Sequence, residues 1–241
     1  MNDITAAEKE YYEKIYEQRR KNIAYIWRVA EKEIFRRYLR YIKEKRVLEV
    51  GCGDGSGISY LVLNLQISEF DYIGIDISEN AVKQAKKIFP QSNFFVADCR
   101  KIPLPSNSID YVLCFGVLHH LENPYDGLKE IFRVLKNRGI LLLREPSDEA
   151  FKRGEGESPY EAGLNMNELM ENVKTNGGKI LSFVRINSPI TFPIRYILER
   201  LNKPILWELK TKIDICIDKL NQGKIKFVRG LDYLIVAKKV K

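Results

Sequence analysis

Val47-Leu48-Glu49-Val50-Gly51-Cys52-Gly53-Asp54-Gly55-Ser56-Gly57 decides how the chain is read. Its first half is a short apolar run with β-branched residues, the pattern of a buried strand. Its second half alternates glycine with small or acidic residues, the pattern of a tight turn that something must approach closely. Ile58-Ser59-Tyr60-Leu61-Val62-Leu63-Asn64-Leu65 then reads as a helix. Strand, glycine turn and helix N-terminus together make a nucleotide-type site at the carboxyl end of a parallel sheet. No Gly-Lys-Ser/Thr follows, so the turn is not a Walker loop. Gly51 and Gly53 supply two glycines of a dinucleotide fingerprint, but Ser56 stands at the third position.

The pattern continues outward. Tyr72-Ile73-Gly74-Ile75-Asp76 is a second apolar run that ends on an acid, followed by Ile77 and Ser78. A carboxylate at that strand end can accept both hydroxyls of a ribose. Asn93-Phe94-Phe95-Val96-Ala97 ends at Asp98, and a second acid there suits an adenine amino group, which only donates. Ile109-Asp110-Tyr111-Val112-Leu113-Cys114-Phe115 is a fourth strand and runs into Gly116-Val117-Leu118-His119-His120-Leu121. Asn123-Pro124 opens a helix, with proline at the first helical position. Leu128, Ile131, Phe132 and Leu135 give that helix an apolar face, and Gly139 is expected to end it. Ile140-Leu141-Leu142-Leu143 reads as a buried fifth strand ending near Arg144 and Glu145. Strands alternating with helices imply an α/β, doubly wound, parallel sheet.

Glu49-Val50-Gly51-Cys52-Gly53-Asp54-Gly55, Gly74-Ile75-Asp76, Ala97-Asp98 and Leu118-His119-His120-Leu121, in this order and spacing, resemble the class I S-adenosylmethionine-dependent methyltransferases. The likeness is to the branch that modifies small molecules, lipids and lipid-linked sugars, and it covers roughly residues 44–145. It implies a seven-stranded, mostly parallel Rossmann-like sheet whose last strand is antiparallel, with S-adenosylmethionine as cofactor and no metal. The resemblance places the backbone of Gly51, Cys52 and Gly53 against the methionine part of the cofactor and Glu49 near its ammonium. It places Asp76 on the ribose hydroxyls, Ile77 against adenine, Asp98 with the Cys99 backbone at the adenine amino group, and Phe115 to Val117 beneath the sulfonium. The chain has two histidines, His119 and His120. Both fall after the fourth strand, where methyl transfer would occur. One of them is a candidate general base for a hydroxyl acceptor; the alternative is that the pair shapes the cofactor pocket.

The acceptor is read less directly. Phe115-Gly116-Val117-Leu118 stands where amino-directed nucleic-acid enzymes of the superfamily carry Asn/Asp-Pro-Pro-Tyr, which argues against adenine N6 methylation. The expected acceptor is a hydrophobic or lipid-linked small molecule, methylated on oxygen. The competing readings are an RNA or protein methyltransferase, a protein that binds the cofactor without transfer, and a nicotinamide enzyme, against which Ser56 counts.

With 241 residues, 45% hydrophobic and 30% charged, the chain suits one large α/β domain with additions. No apolar run nears the roughly 20 residues needed to span a bilayer, and Met1 to Glu10 has no signal-peptide layout; the expectation is a cytoplasmic protein. The net charge of +8 fits a Lys- and Glu-rich surface of the heat-adapted kind better than a nucleic-acid module. Cys52, Cys99, Cys114 and Cys216 show no C-x-x-C spacing and read as small buried residues.

Residues 1–43 are expected to form an N-terminal helical cap and residues 44–241 the catalytic domain. The resemblance implies that such helices lie over the cofactor crevice, where Tyr11, Tyr12, Tyr16 and Trp27 would touch substrate; ordinary helix-to-sheet packing is the stronger reading for any single one. Arg36, Arg37, Arg40, Lys43, Lys45 and Arg46 form a basic cluster, either a solvated face or an attractor for a phosphorylated acceptor. Residues 146–163 read as a lid loop. Asn165 to Thr175 reads as a helix, and Lys179 to Ile186 with Leu231 to Ala237 as a closing hairpin. Residues 188–228 form a helical insertion, read as a roof over the acceptor, a homodimer surface, a peripheral membrane contact, or simple packing.

Overall fold

The computed structural model describes residues 9–10, 32–55, 57–58, 70–148, 163–186 and 232–240. Most of the proposed lid, the insertion, most of the N-terminal cap and Cys216 therefore lie outside the described residues, as do Tyr11, Tyr12, Tyr16 and Trp27. Of the expected N-terminal helices, α1 is Lys32–Leu39. Strand β1 is Arg46–Val50 and β2 is Asp71–Asp76. Helix α2 is Glu79–Ile88, strand β3 Asn93–Val96 and strand β4 Ile109–Phe115. A single 3-10 turn, Leu118–His120, precedes α3, Pro124–Val134. Strand β5 is Leu135–Pro146, α4 is Met166–Thr175, β6 is Gly178–Ile186 and β7 is Asp232–Lys239.

The helix starts follow capping chemistry. Ser78 Oγ accepts the Ala81 N–H at 3.1 Å, Glu79 sits in the first turn of α2, and Lys86 and Lys87 sit in its last. Asn123 caps α3 ahead of Pro124, and Asn165 caps α4 through the N–H groups of Asn167 and Glu168. The strands make one seven-stranded sheet in the order β3-β2-β1-β4-β5-β7-β6. Pairs β1–β2, β2–β3, β1–β4 and β4–β5 are parallel. Strand β7 lies antiparallel to both β5 and β6, so it alone runs against the rest. The fold expected from the sequence is the one observed, including the final hairpin.

Alternate residues of each strand feed two cores, as period-2 geometry requires. Leu48, Val50, Val112, Cys114, Leu141 and Leu143 pack with α3 and α4 on one face. Val47, Leu113, Leu142 and Val236 pack with Phe35 and Leu39 of α1 and Val82 and Ala85 of α2 on the other. Burial on both faces explains why these strands read as unbroken apolar runs.

Two boundaries differ from the sequence reading. Helix α3 ends at Val134, not Gly139, and β5 already begins at Leu135. Leu135 pairs with Ile109; the register then slips and resumes at Tyr111 with Ile140, across Arg138 at φ 68°. Lys239 secures this junction. Its Nζ donates to the carbonyls of Phe132 and Leu135, each at 2.7 Å, and to Asn107 Oδ1 at 3.0 Å. A cation thus satisfies carbonyls that the end of a helix leaves open, and no local pattern in residues 135–139 signals a partner a hundred residues away.

The chain turns at β1. It builds outward through β2 to β3, then returns to β4 on the other flank of β1. Val50 pairs with Ile75 on one side and Cys114 on the other, so the turns after β1, β2 and β4 open at the same edge. This reversal is where open α/β sheets place ligands. Among the described residues no helix is long and apolar enough to cross a membrane.

Candidate active site at the carboxyl edge of the sheet

The glycine turn after β1 folds inward. The N–H groups of Gly51 and Cys52 both donate to Ile75 O, at 2.8 and 3.0 Å. Gly53 N–H donates to Asp76 Oδ2 at 2.8 Å, and Gly55 N–H to Cys52 O at 3.1 Å. A dinucleotide or phosphate loop aims such donors at a pyrophosphate. Here those donors face β2 and the turn itself, and the acids in or beside the turn are Glu49, Asp54 and Asp76. Such surroundings suit a ligand carrying hydroxyls, amines and positive charge, and are poor for a phosphate. That observation separates the two cofactor classes on physical grounds.

Asp76 gathers two elements. Its Oδ2 takes the Gly53 N–H and its Oδ1 takes the Ser78 N–H at 2.9 Å, which ties the glycine turn to the start of α2. It remains half-buried, at the edge where the turns after β1, β2 and β4 open. Ile77, also half-buried, follows it directly.

Gly51 adopts φ 69°, and a Cβ built on it would overlap Val117 Cγ2. The missing side chain therefore lets the turn after β4 lie directly on the turn after β1. Phe115, at the end of β4, packs against Phe35 of α1 with ring centroids 5.4 Å apart. The structure thus brings together Gly51, Gly53, Asp76 and Val117, as the resemblance implies.

Glu49 and Asp98 have other engagements. Glu49 is 1% exposed and its Oε2 accepts from the Tyr72 hydroxyl. A Cβ at Gly57 would overlap its carboxylate, so the acid packs against the first residues of the helix that follows the glycine turn. Asp98 accepts the Arg100 N–H at 2.8 Å and pairs with the Arg100 guanidinium at 2.6 Å. Burial pushes the Asp98 carboxyl up, but the Arg100 hydrogen bonds outweigh it and leave it below the usual carboxylate range. Cys99 is buried, and desolvation pushes its thiol up to about 12.

The acceptor side is built around a residue to which the sequence reading gives no role. Glu145, near the end of β5, is 1% exposed. Its Oε1 accepts the N–H groups of Val117 and Leu118 at 3.2 and 3.0 Å. Its Oε2 accepts the His119 N–H at 3.4 Å and lies 2.8 Å from His119 Nδ1. The turn holding both histidines is therefore pinned by one carboxylate 26–28 residues away in sequence. His119 is buried and its ring lies against that of His120, tilted by 40° with centroids 3.9 Å apart. The available signal was an acid breaking an apolar strand, Leu141-Leu142-Leu143-Arg144-Glu145.

The stretch that carries this edge of the sheet is similar to known proteins. Residues 48–143 match the family described as the methyltransferase domain. A protein of Mycolicibacterium smegmatis named "Probable S-adenosylmethionine-dependent methyltransferase" is 29% identical over 64% of this chain and 60% of its own length. The phthiotriol/phenolphthiotriol dimycocerosates methyltransferase 1 of Mycobacterium ulcerans is 36% identical over 44% of this chain and 40% of its own. The chain thus spans about half the length of these curated relatives. In fold, a solved SAM-dependent methyltransferase from Archaeoglobus fulgidus gives a TM-score of 0.59 at 22% identity, covering 86% of this chain and 92% of that one. Residues 48–143 thus match a methyltransferase domain, and the curated relatives similar to this chain include proteins named as S-adenosylmethionine-dependent methyltransferases. The cofactor in that name is S-adenosylmethionine, and the inward-turned glycine loop with acids beside it fits that group.

Proposed function

We propose that the protein transfers the methyl group of S-adenosylmethionine to a hydroxyl of a small apolar or lipid-linked acceptor. The observation that supports this reading is the contact of the Gly51 turn with Val117, which precedes His119 and His120 in the turn after β4. A hydroxyl is a poor methyl acceptor until it loses its proton, and imidazole takes protons near neutral pH. The mycobacterial relative whose name places it on a lipid supports an apolar acceptor.

In this reading Asp76 holds the ribose hydroxyls and Ile77 lies against adenine. Asp98, with the Cys99 backbone, faces the adenine amino group while Arg100 fixes its orientation. Gly51, Cys52 and Gly53 pack along the methionine part, and Glu49 acts on the ammonium from beneath the turn. Phe115 and Val117 line the reacting end. The bound cofactor supplies an activated methyl group; the protein aligns the acceptor behind it and excludes water.

The test incubates the purified protein with methyl-labelled S-adenosylmethionine and, separately, a total lipid extract, bulk tRNA and a protein lysate. Label passing into the organic phase is the expected result. Label in tRNA or protein with none in lipid would overturn the acceptor class. Calorimetry with S-adenosylhomocysteine and with NAD checks the cofactor, and heat is expected from the first alone.

A further inference from the structure

We propose that the outer face of α1 and the turn after it is a docking surface for a membrane that carries anionic headgroups. Between Arg36 and Arg46 the chain has six cations and one acid, in a protein whose net charge is +8. The helix buries Phe35 and Leu39, and the turn buries Ile42. That sets the other side outward, and Arg36, Arg37, Arg40, Lys43 and Lys45 are all exposed. Arg46 is held by Asp71 at 2.9 Å. Arg37 and Arg40 are held by no acid among the described residues. Their guanidinium groups lie over the rings of Tyr38 and Tyr41, 5.5 and 4.8 Å from the centroids. Basic residues in the last turn of a helix answer its dipole, which accounts for Arg36 and Arg37. It does not account for Arg40, Lys43 and Lys45, which follow the helix.

Tyr41 separates this surface from an ordinary solvated run of charge. It is 66% exposed, the most of any large apolar side chain that reaches the surface among the described residues. A tyrosine has an apolar ring and a polar tip, and such side chains settle at the headgroup level of a bilayer. Arginine stems lie along the ring while their charged ends reach phosphate. The cations stand on the outer side of one helix and the turn that follows, where a flat array of headgroups meets them together. A single nucleic-acid strand is instead tracked by a charged groove. The same helix reaches the site, because Phe35 packs against Phe115 at the end of β4. A bilayer on α1 therefore lies alongside the carboxyl edge of the sheet. The inference goes beyond the methyl-transfer reading and rests on the charge and exposure of this face.

The test is vesicle sedimentation with the whole protein at about 0.1 M salt. Phosphatidylcholine vesicles are compared with vesicles in which about a third of the lipid is phosphatidylglycerol. Binding to the anionic vesicles alone, released at about 0.5 M salt, is the expected result. Arg37→Gln with Arg40→Gln is expected to weaken it about 10- to 30-fold, the effect of two cations at an anionic surface. Lys86→Gln with Lys87→Gln removes the same charge from the exposed side of α2 and is expected to change it by no more than about twofold, so the pair of variants separates a surface from net charge. Tyr41→Ser is expected to weaken binding without changing its salt dependence. No binding, equal binding to both kinds of vesicle, or equal loss in the two double variants overturns the proposal. Tighter binding to bulk tRNA than to the vesicles, lost in the α1 variant, assigns the face to nucleic acid and also overturns it. Methyl transfer does not enter the assay, so a wrong acceptor leaves its result standing.

Discussion

Two strand-end carboxylates, Asp76 on β2 and Glu145 on β5, gather the two turns that make the crevice, and they do so differently. Asp76 accepts one backbone N–H from each of two elements and stays half-buried. Glu145 receives three backbone N–H groups and an imidazole and is 1% exposed, so its capacity is filled from within. The two acids thus differ in exposure, which fits the proposed role of Asp76 as a cofactor contact and the place of Glu145 as the anchor of the histidine turn.

The strongest challenge to this division is Gly51→Ala, which acts where the halves meet. It places a Cβ into Val117 at φ 69° and is expected to cost about 2–5 kcal/mol, combining left-handed strain with overpacking. Chemical denaturation reads the loss. Adding Val117→Ala recovers the overlap but not the strain, so partial rescue is expected.

Asp76→Ala tests the binding acid. It is expected to weaken S-adenosylhomocysteine about 10- to 100-fold by calorimetry, the loss of hydrogen bonds to a charged group. Unchanged affinity would place the ribose elsewhere.

Tyr72→Phe sharpens the contrast on the buried side. It removes the hydroxyl that Glu49 accepts from within the core and is expected to lower stability by about 1–3 kcal/mol, with a smaller effect on cofactor affinity than Asp76→Ala.

Asp98 sets a pH dependence. Its folded-state pKa is depressed, the hydrogen bonds of Arg100 outweighing burial. Its contribution is therefore full above the unfolded value of about 3.9 and is lost as pH falls through the lower folded value. The stability gap between wild type and Asp98→Asn should be present at neutrality and close as pH drops below that range. The smallest effect concerns Cys99. Burial raises its thiol to about 12, so iodoacetamide at pH 8 should leave it unmodified in the folded protein, by peptide mass mapping.

Much of the cofactor half was legible in the sequence. Strand ends are marked by acids, turns by glycines and caps by Ser78 and Asn123, each a local rule of backbone chemistry. The five parallel strands and the final hairpin followed from the same patterns. The α3–β5 boundary was not legible, because Leu135 suits a helix face and a strand equally, and Lys239 helps to decide between them from the far end of the chain.

The sequence by itself determined which residues stand at the carboxyl edge of the sheet, since strand and turn propensities act over a few neighbours. Tertiary structure alone decided what those residues do there. It turned the glycine-loop donors toward β2, closed Tyr72 over Glu49, set Gly51 beneath Val117 and joined Glu145 to His119. Each of these is a contact between residues distant in the chain. Its partner is chosen by strand order and register, which no short stretch of sequence carries.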